Sequence, residues 1–500
     1  MATLLLLAPL GVPALGALVY VVFGWHRATA WASAVSAALV LASAITIAAA
    51  VVGSGPRTAV AGLLRVDALS AFMLIVIGAV ALLATAATPA HFATEISAGR
   101  ASARTARRHS VLVQLFLVAM ALAVLAANLG VIWVAIEGTT VVTAFLVGQR
   151  RTRAAIEAAW KYVVICSAGI ALALLGTIVL NYAAAKTPQT RGLDLVTLTA
   201  NAHLLDPSVT RIAIALLILG FGTKAGLAPL HAWLPDAHSQ APAPVSALMS
   251  GVLLSVAFYA ILRVKVIADA ALGPEFARTM LLVMAISSLL IAATLMLAQR
   301  DYKRMLAYSS IEHLSLIALG AAIGSPLALA AILLHILGHG LAKAVLFLGA
   351  GRILQVTGTS RISRVHGLGA HNPVLSGSVG LGVLALLGLP PFSLFASELG
   401  IARAGFARGL GWPTITAMVL ALLLVLVIAA ALVGHTSRML LGSPAQTREG
   451  PGAAIARDRL PVSTALALMA GLAATAVLGI TGGPLTSLLY DAAHTLLGSR

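Results

Sequence analysis

Ionisable side chains lie inside several long apolar runs of this 500-residue sequence. Lys224 is the first that needs an explanation, because a charged group at bilayer depth costs about 2.5–3.5 kcal/mol on insertion scales. Gly226 and Pro229 follow it closely and predict a break in the helix, which frees backbone groups that only a polar cavity could satisfy. A charge beside a helix break indicates an ion pathway.

A second group of ionisable residues follows helical spacing in the run LLHILGHGLAKAVLF. His335, His339 and Lys343 recur every four residues, so they stack on one helix face about 6 Å apart in rise. Histidine titrates close to neutral pH, so a row with this spacing can pass protons. Three carboxylates lie in other apolar runs: Glu137, Glu312 and Glu398.

Each of these groups could simply bond a neighbouring helix. Polar contacts between membrane helices average only about 0.6 kcal/mol, however, which is too little to explain two lysines, three glutamates and two spaced histidines together. The whole set therefore favours a proton relay over a collection of structural contacts.

Two further groups are open to more than one interpretation. His231, Asp236 and His238 lie in a proline-rich connection, but their spacing forms no recognised ligand set, so we predict no metal site. Lys161 lies at the start of the sixth apolar run, where it could anchor the helix at the interface or approach Glu137. The sequence favours the approach to Glu137.

The elements that must position these groups are membrane spans. With 60% hydrophobic and 9% charged residues and a mean hydropathy of +1.02, the sequence is too apolar for a soluble protein. Its formal charge of +17 is spread over short connections, which argues against nucleic-acid binding. The single cysteine, Cys166, permits neither an internal disulfide nor a four-thiolate iron–sulfur cluster, so we expect no cofactor in this chain.

Apolar runs of about 20 residues predict fourteen transmembrane helices in an all-α fold. The predicted spans are 3–24, 29–53, 66–88, 110–127, 130–148, 157–181, 209–230, 242–264, 279–299, 305–323, 326–351, 374–400, 411–441 and 462–490. Pro390 and Pro391 interrupt the twelfth span much as Pro229 interrupts the seventh. Because an offset of five spans reverses the chain direction, we predict inverted repeats whose broken helices meet near the middle of the bilayer.

The spans divide the chain into four predicted parts. Residues 1–109 hold the first three spans, 110–264 and 265–441 form two repeats of five spans, and 442–500 hold the last span. The odd-numbered loops carry more of the 32 lysines and arginines than the even-numbered loops and the termini. The positive-inside rule therefore places the odd loops in the cytoplasm and both termini outside it.

The stretch KAGLAPLHAWLPDAHSQAP, residues 224–242, resembles the signature of the proton-conducting antiporter-like subunits of respiratory complex I. The same family includes cation/proton antiporter subunits and subunits of membrane-bound hydrogenases. Three segments are most similar to component F of hydrogenase-4 and the related formate hydrogenlyase: AAWKYVVICSAGIALALLGT (158–177), PAPVSALMSGVLLSVAFYAILR (242–263) and RDYKRMLAYSSIEHLSLIALG (300–320). The resemblance extends over nearly the whole chain and implies that both repeats are antiporter-like.

The resemblance also implies roles for individual residues. In the family, a glutamate of span five pairs with the lysine of span seven, which maps onto Glu137 and Lys224, and the exit-side charge maps onto Glu398. Where relatives carry a lysine or histidine in span eight, this chain has Ser250 and Ser255, so that station is missing or replaced by water. The central row maps onto three residues already noted: His335, His339 and Lys343. The accessory candidates are Lys161, Ser250, Ser255 and Glu312.

We therefore predict a membrane subunit, itself without a redox centre, of an oxidoreductase complex in the cell's inner membrane. Other membrane subunits and a peripheral iron–sulfur, hydrogenase or dehydrogenase module would drive it. The distance between Glu137 and Lys224 would control protonation of the lysine, and the proton would leave through the central row. The alternative is a cation (sodium)/proton antiporter subunit without redox partners, and a third is a scaffold that moves no ion.

Overall fold

The computed structural model describes residues 2–187, 192–407, 411–442 and 459–498. Five loop arginines that contribute to the predicted orientation lie outside these ranges: Arg191, Arg408, Arg448, Arg457 and Arg500. Much of the predicted last division, 442–500, lies outside them as well. The described part of the chain is a helical bundle with one short β-hairpin.

Twenty α-helices follow one another in the described ranges. They are α1 (Ala2–Phe23), α2 (Ala32–Ser54), α3 (Ala68–Ser97), α4 (Ala103–Leu125), α5 (Leu129–Val147), α6 (Arg153–Ala185), α7 (Leu195–Ala200), α8 (Pro207–Ala225), α9 (Trp233–Gln240), α10 (Ala243–Leu248), α11 (Leu254–Leu272), α12 (Pro274–Leu297), α13 (Tyr302–Ile323), α14 (Pro326–Thr357), α15 (Leu368–His371), α16 (Pro373–Leu386), α17 (Ser393–Gly405), α18 (Trp412–Leu441), α19 (Val462–Ile480) and α20 (Leu485–Leu496). Strands β1 (Arg57–Ala59) and β2 (Leu64–Val66) pair antiparallel between α2 and α3, a hairpin that was not predicted.

The apolar runs locate the spans well. Thirteen helical stretches of the described chain are long and apolar enough to cross a membrane, and the pair α16 and α17 completes the fourteen predicted spans. The prediction of an all-α membrane fold is confirmed. The last span is shorter than predicted, because α19 ends at Ile480 and a Gly-Gly-Pro turn separates it from the amphipathic helix α20.

The seventh span is broken directly after Lys224. Helix α8 ends at Ala225, and Gly226 takes a left-handed conformation with φ +81° that a residue with a Cβ rarely adopts. The indole Nε1 of Trp233 donates to the carbonyl of Thr223 at 2.9 Å, so the break does not leave that buried carbonyl unpaired. Helix α9 then continues the span.

The twelfth span is broken in a corresponding way. Helix α16 ends at Leu386, Gly388 has φ +62°, and α17 begins at Ser393. A cis X-Pro peptide bond lies in each of the two connections, Ala228–Pro229 and Pro390–Pro391. Both breaks predicted from the prolines are therefore present.

The eighth span contains a π-helical turn, Met249–Leu253, between α10 and α11. At this turn the backbone meets the middle of α14, because a Cβ added to Gly251 would lie 2.9 Å from the carbonyl oxygen of Gly340. The reciprocal distance, from a Cβ on Gly340 to the Gly251 oxygen, is 2.8 Å. The helices can cross this closely because both residues at the crossing are glycines.

Helices α13 and α14 form the centre of the bundle. All residues of α13 except Arg304 are buried, although the helix carries ionisable and hydroxyl side chains. Helix α14 contacts α3, α10, α13, α16, α17 and α19. Polar groups on these two helices therefore face protein on every side, which is where intramembrane polar groups are expected to have a function.

Candidate proton pathway

The Lys224 site consists of Lys224, Thr140 and Tyr162. The lysine is wholly buried in the last turn of α8. Its Nζ donates to Thr140 Oγ1 at 2.9 Å and contacts the Tyr162 hydroxyl at 2.5 Å, and it lies 4.7 Å from the centre of the tyrosine ring. The Tyr162 ring packs edge-on against Trp233, with ring centres 5.0 Å apart. The segment after the helix break thus supplies Trp233, which packs against Tyr162 and positions this partner of the lysine.

The predicted ion pair between Glu137 and Lys224 is not formed in this conformation. No nitrogen–oxygen distance between the two side chains is within 4.0 Å. Glu137 is half-buried on α5 and lines a cavity of about 450 Å³ between α5 and α6, together with Arg108, Arg151 and Trp160. Its Oε2 has no hydrogen-bond partner among the described residues. Thr140, one turn further along α5, makes the contact to the lysine instead.

Lys161 forms no ion pair with Glu137 within 4.0 Å, and its pairs are made with other residues. Its ammonium pairs with Glu157 at 2.7 Å and with Asp236 at 3.1 Å, and Asp236 also lies 3.4 Å from Arg304. These pairs form because α9 packs against α6, which brings Asp236 to the half-exposed face that carries Lys161.

Lys343 is wholly buried as well and lies in the middle of α14. Its Nζ donates to the carbonyl oxygen of Leu306 at 2.7 Å and to the hydroxyl of Ser309. Both partners belong to α13. Like Lys224, it is held by neutral oxygen acceptors, and no carboxylate oxygen of the described residues lies within 4.0 Å of it.

The two serines of the eighth span have different surroundings. Ser250 lies in the π-helical turn, and its hydroxyl is 2.8 Å from that of Ser310 on α13. Ser255 is wholly buried, and its hydroxyl has no hydrogen-bond partner in the described part of the chain. Only Ser250 is therefore connected to a hydroxyl of the central helices.

Three histidines meet where α13 and α14 pack, and we call His313, His335 and His339 the histidine cluster. His313 Nδ1 is 3.0 Å from His335 Nε2, and the ring of His313 is 5.1 Å from the rings of both other members. His339 is buried, and neither of its ring nitrogens has a partner among the described side chains. Sequence reasoning selected Glu312 and overlooked its neighbour His313, although both lie in the same apolar run.

Glu398 lies beside this cluster in the middle of α17. Its carboxylate packs against the break at Gly388, and one of its oxygens lies within 4.8 Å of ligand nitrogens of His313 and His335. The preceding residue, Ser397, places its hydroxyl 3.0 Å from His335 Nδ1. Glu312 is buried on α13 with no ion pair of its own within 4.0 Å in the described chain.

His238 lies between the seventh span and α14 and was not selected for the relay from the sequence. It is wholly buried in α9, and its ring stacks on Phe347 of α14 with centres 4.8 Å apart. Phe347 lies one helical turn after Lys343. His231, by contrast, is only half-buried in the preceding connection, so the sequence trio of His231, Asp236 and His238 is not brought together as one site.

Taken together, these side chains can accept and donate protons at two separate places. Hydroxyls and neutral imidazoles carry both a donor and an acceptor, and lysine can hold an extra proton. The Lys224 site opens towards a cavity with a carboxylate, and the central region runs from Lys343 through the histidine cluster to Glu398. Direct hydrogen bonds link parts of each place, but Lys224 and Lys343 do not contact each other.

A family model described as the transmembrane domain of NADH:quinone oxidoreductase and Mrp antiporters matches residues 126–424. The chain belongs to this family. The match includes the Lys224 site, the histidine cluster and Glu398, and the resemblance drawn from residues 224–242 is confirmed.

Individual members of the antiporter-like family support this assignment. The chain is 42% identical over 321 residues to a hydrogenase-4 component F homolog of Methylacidiphilum infernorum, which covers 64% of this chain and 67% of that protein. It is 35% identical over 336 residues to NADH-quinone oxidoreductase subunit N of Desulforudis audaxviator, covering 66% and 65%. The chain thus spans about two thirds of the length of these relatives.

The fold is also that of a solved respiratory protein. A subunit of the archaeal membrane-bound sulfane sulfur reductase superimposes with a TM-score of 0.84 at 24% identity, covering 99% of this chain and 97% of that one. Nearly every helix of the antiporter-like fold therefore has a counterpart in this chain.

Proposed function

We propose that this chain is the proton-translocating subunit of a redox-driven membrane complex of the hydrogenase-4, formate hydrogenlyase or NADH:quinone oxidoreductase type. Family membership supports a transport role, and the component F homolog is the relative that favours the hydrogenase type. The chain itself would supply no redox cofactor, and its single thiol, Cys166, is buried.

One observation carries the proposal: Lys224 and Lys343 are each wholly buried and bonded to neutral oxygens rather than to carboxylates. Lys224 bonds a threonine and a tyrosine, and Lys343 bonds a serine and a backbone carbonyl. An ammonium enclosed without a counter-ion is costly, and the cost is relieved when the proton leaves. Such a lysine is suited to hold a proton transiently.

In the first half of the route, the cavity beside Glu137 is the place where a proton would reach the protein. The carboxylate is half-buried, and one of its oxygens lacks a partner in the described chain, so it is free to accept a proton or to turn towards Lys224. The hydroxyls of Thr140 and Tyr162 then lead to the lysine.

In the second half, the proton would pass from Lys343 through His339 to His313 and His335, and leave by Glu398. His313 is an addition to the route, because it stands in contact distance of both other histidines. The step between the two lysines has no direct contact. Buried His238, stacked on Phe347 near Lys343, is the side chain we assign to this gap, with water completing the hydrogen bonds.

Coupling would act on the distance between Glu137 and Lys224. In the state described here the two groups are apart, and Thr140 bonds the lysine. A partner subunit that pushes α5 or α6 could bring the carboxylate close and stabilise the charged lysine. Releasing it would drive the proton towards Lys343. The partners would be other membrane subunits and a peripheral iron–sulfur module of hydrogenase or dehydrogenase type.

The chain would lie in the inner membrane with the basic odd-numbered loops in the cytoplasm and both termini outside. Labelling single cysteines introduced into the loops of intact cells would test this orientation. An impermeant thiol reagent should reach a cysteine near the N-terminus and should not reach one near Arg104.

The test of function is Lys224→Ala in the assembled complex, with protons moved per electron measured in sealed vesicles. We expect pumping to fall at least about tenfold, because each proton-transfer group typically contributes 10² or more to a proton-transfer rate. Lys186→Ala is the matched control. Lys186 is an exposed lysine directly after α6, and its ammonium lies over the ring of Tyr182.

Assembly must be equal in both variants, which native gel electrophoresis with an antibody to a partner subunit would measure. If Lys224→Ala pumps as well as Lys186→Ala at equal assembly, the role assigned to Lys224 is wrong.

A cation (sodium)/proton antiporter subunit is the second candidate, because the family description includes Mrp antiporters. Vesicles without any electron donor separate the two. A sodium gradient that moves protons through the wild-type protein, and not through Lys224→Ala, would favour the antiporter. Proton movement only during electron transfer would favour the redox complex.

A further inference from the structure

Three side chains from three helices converge beside the break in the twelfth span. His313 comes from α13, His335 from α14 and Glu398 from α17. Each offers one ligand atom, and these atoms all lie within 4.8 Å of one another. The two histidines are buried and Glu398 is half-buried. Two imidazoles and a carboxylate are the donor types that bind Zn²⁺ in proteins, with one position left for water.

The hydrogen bonds around His335 fix which of its nitrogens is available. The hydroxyl of Ser397 lies 2.9 Å from the carbonyl oxygen of Leu394 and 3.0 Å from His335 Nδ1. Because the carbonyl can only accept, we assign the hydroxyl proton to it, and the Ser397 oxygen then accepts from His335. His335 therefore carries its proton on Nδ1 and directs the lone pair of Nε2 at His313. A metal-binding histidine is commonly oriented in this way, through a hydrogen bond on its other nitrogen.

The same bonds define the state of His313. Because His335 Nε2 accepts, His313 Nδ1 must donate across the 3.0 Å that separates them. The other nitrogen of His313, Nε2, is buried without a hydrogen-bond partner in the described part of the chain. A metal ion can replace the shared proton if that proton moves to Nε2. The imidazole then stays neutral, and both facing nitrogens become ligands.

The distances are close to those that a metal requires. Zinc–nitrogen and zinc–oxygen bonds of about 2.0–2.2 Å place tetrahedral ligand atoms about 3.3 Å apart. The two nitrogens, at 3.0 Å, would need to separate slightly, and the carboxylate would need to approach. Glu398 can do so by rotating its side chain, since it packs against a glycine at the helix break.

We propose that His313, His335 and Glu398 form a binding site for a divalent transition-metal ion, with Zn²⁺ as the preferred ion. Imidazole ligands favour zinc over magnesium or calcium, which prefer oxygen ligands. A bound ion would occupy the facing nitrogens of two members of the histidine cluster. On the proposed function, from which this consequence follows, the ion would block the last steps of proton transfer.

The test is direct metal binding by the full chain, purified in detergent free of metal, alone or in its complex if it requires partners. Calorimetric titration with Zn²⁺ should give a saturable site that excess Mg²⁺ does not displace. Co²⁺ in its place should give the visible absorption of a four-coordinate ion. We expect His313→Gln, His335→Gln and Glu398→Gln each to weaken binding by about tenfold or more.

Two further variants make the result decisive. Ser397→Ala keeps all three ligands and removes the group that orients His335, so affinity should fall about 10-fold to 100-fold even where a histidine variant fails to fold. His371→Gln, an exposed histidine outside the site, should leave the saturable site unchanged. No saturable binding by the wild type, or affinities of the His313, His335 and Ser397 variants within twofold of it, would overturn the proposal.

Binding is measured without proton transport, so this proposal and the proposed function fail separately. Lys224→Ala should bind Zn²⁺ like the wild type, even if it no longer pumps. In vesicles, inhibition by Zn²⁺, expressed relative to the metal-free rate of each variant, should require about tenfold more metal in Ser397→Ala. Equal inhibition of both proteins would show that zinc acts elsewhere.

Discussion

The surroundings of Lys224 and Lys343 differ in a way that separates two tasks. Lys224 lies at a helix break, and the carboxylate of Glu137 stands nearby in a cavity of about 450 Å³. Lys343 lies in the unbroken helix α14, where α13 packs against it. His339 and His335 lie one and two turns before it on the same helix. At Lys224 the neighbouring carboxylate of Glu137 lies in an open cavity and can change its distance to the lysine. At Lys343 the histidines form a row enclosed by protein, which we call the closed row. Protons would be admitted and controlled at the first and conducted by the second.

The helix breaks show the same division. In the first region the broken span carries the lysine itself, whereas in the second the broken span carries Glu398. A lysine thus lies just before the first break and a glutamate follows the second, and the inverted repeat that would relate the two breaks remains a prediction. The comparison predicts that loss of a transfer group in the second region stops conduction, as loss of Lys224 itself would, while loss of one hydroxyl partner of Lys224 changes only its control.

The largest effect is expected from breaking the closed row. His313→Ala removes the ring that contacts both His335 and His339, and no other described side chain bonds His335 Nε2. We expect protons moved per electron to fall at least about tenfold, because the row loses a transfer group. Sealed vesicles of the assembled complex are the assay, and His371→Ala is the control. Pumping above half of the wild-type value would remove His313 from the route.

A smaller effect is expected at the Lys224 site from Tyr162→Phe. The change removes one of two hydroxyl partners of the lysine, and a hydrogen bond to a charged group contributes about 1.5–3 kcal/mol. The Thr140 hydroxyl remains, so pumping should fall several-fold, by less than in Lys224→Ala. Tyr182→Phe alters an exposed ring on the same helix and serves as the control. A loss as large as that of Lys224→Ala would mean that Thr140 alone cannot support the site.

The smallest effect is expected from Lys161→Ala. Its ion pairs with Glu157 and Asp236 lie at a half-exposed surface, where such pairs contribute about 0–1 kcal/mol. Pumping should stay within about twofold of the wild type, and thermal unfolding should shift by only a few degrees. A collapse of pumping with an intact complex would instead make the Lys161–Asp236 pair part of proton uptake and blur the contrast between the regions.

The fold followed from the sequence because long apolar runs and prolines report local structure. The runs predicted fourteen spans, and thirteen of them correspond to single helical stretches that are long enough to cross a membrane. The prolines near 229 and 390 located both broken helices. Helical spacing also put His335, His339 and Lys343 on one helix, where they are all buried. The small hairpin and the end of the last span were missed, because short turns add little to an apolar pattern.

The parts that could not be predicted depend on contacts between helices. His313 is adjacent to Glu312, and only the packing of α13 on α14 decides which of the two faces His335. His238 appeared to belong to a polar connection, but α9 buries it against Phe347. The distance from Glu137 to Lys224 depends on side-chain conformation, which no spacing encodes. The roles of these residues remain predictions.

The contact between Gly251 and Gly340 has a mechanical consequence. Two backbones that touch without side chains between them cannot slide past one another unless they first move apart, and neighbouring helices surround both. The eighth span and α14 are therefore held in a fixed position relative to each other in the middle of the protein. We therefore expect movements that change the distance between Glu137 and Lys224 to occur in α5, α6 and α8, and we expect the conducting row on α14 to keep its shape.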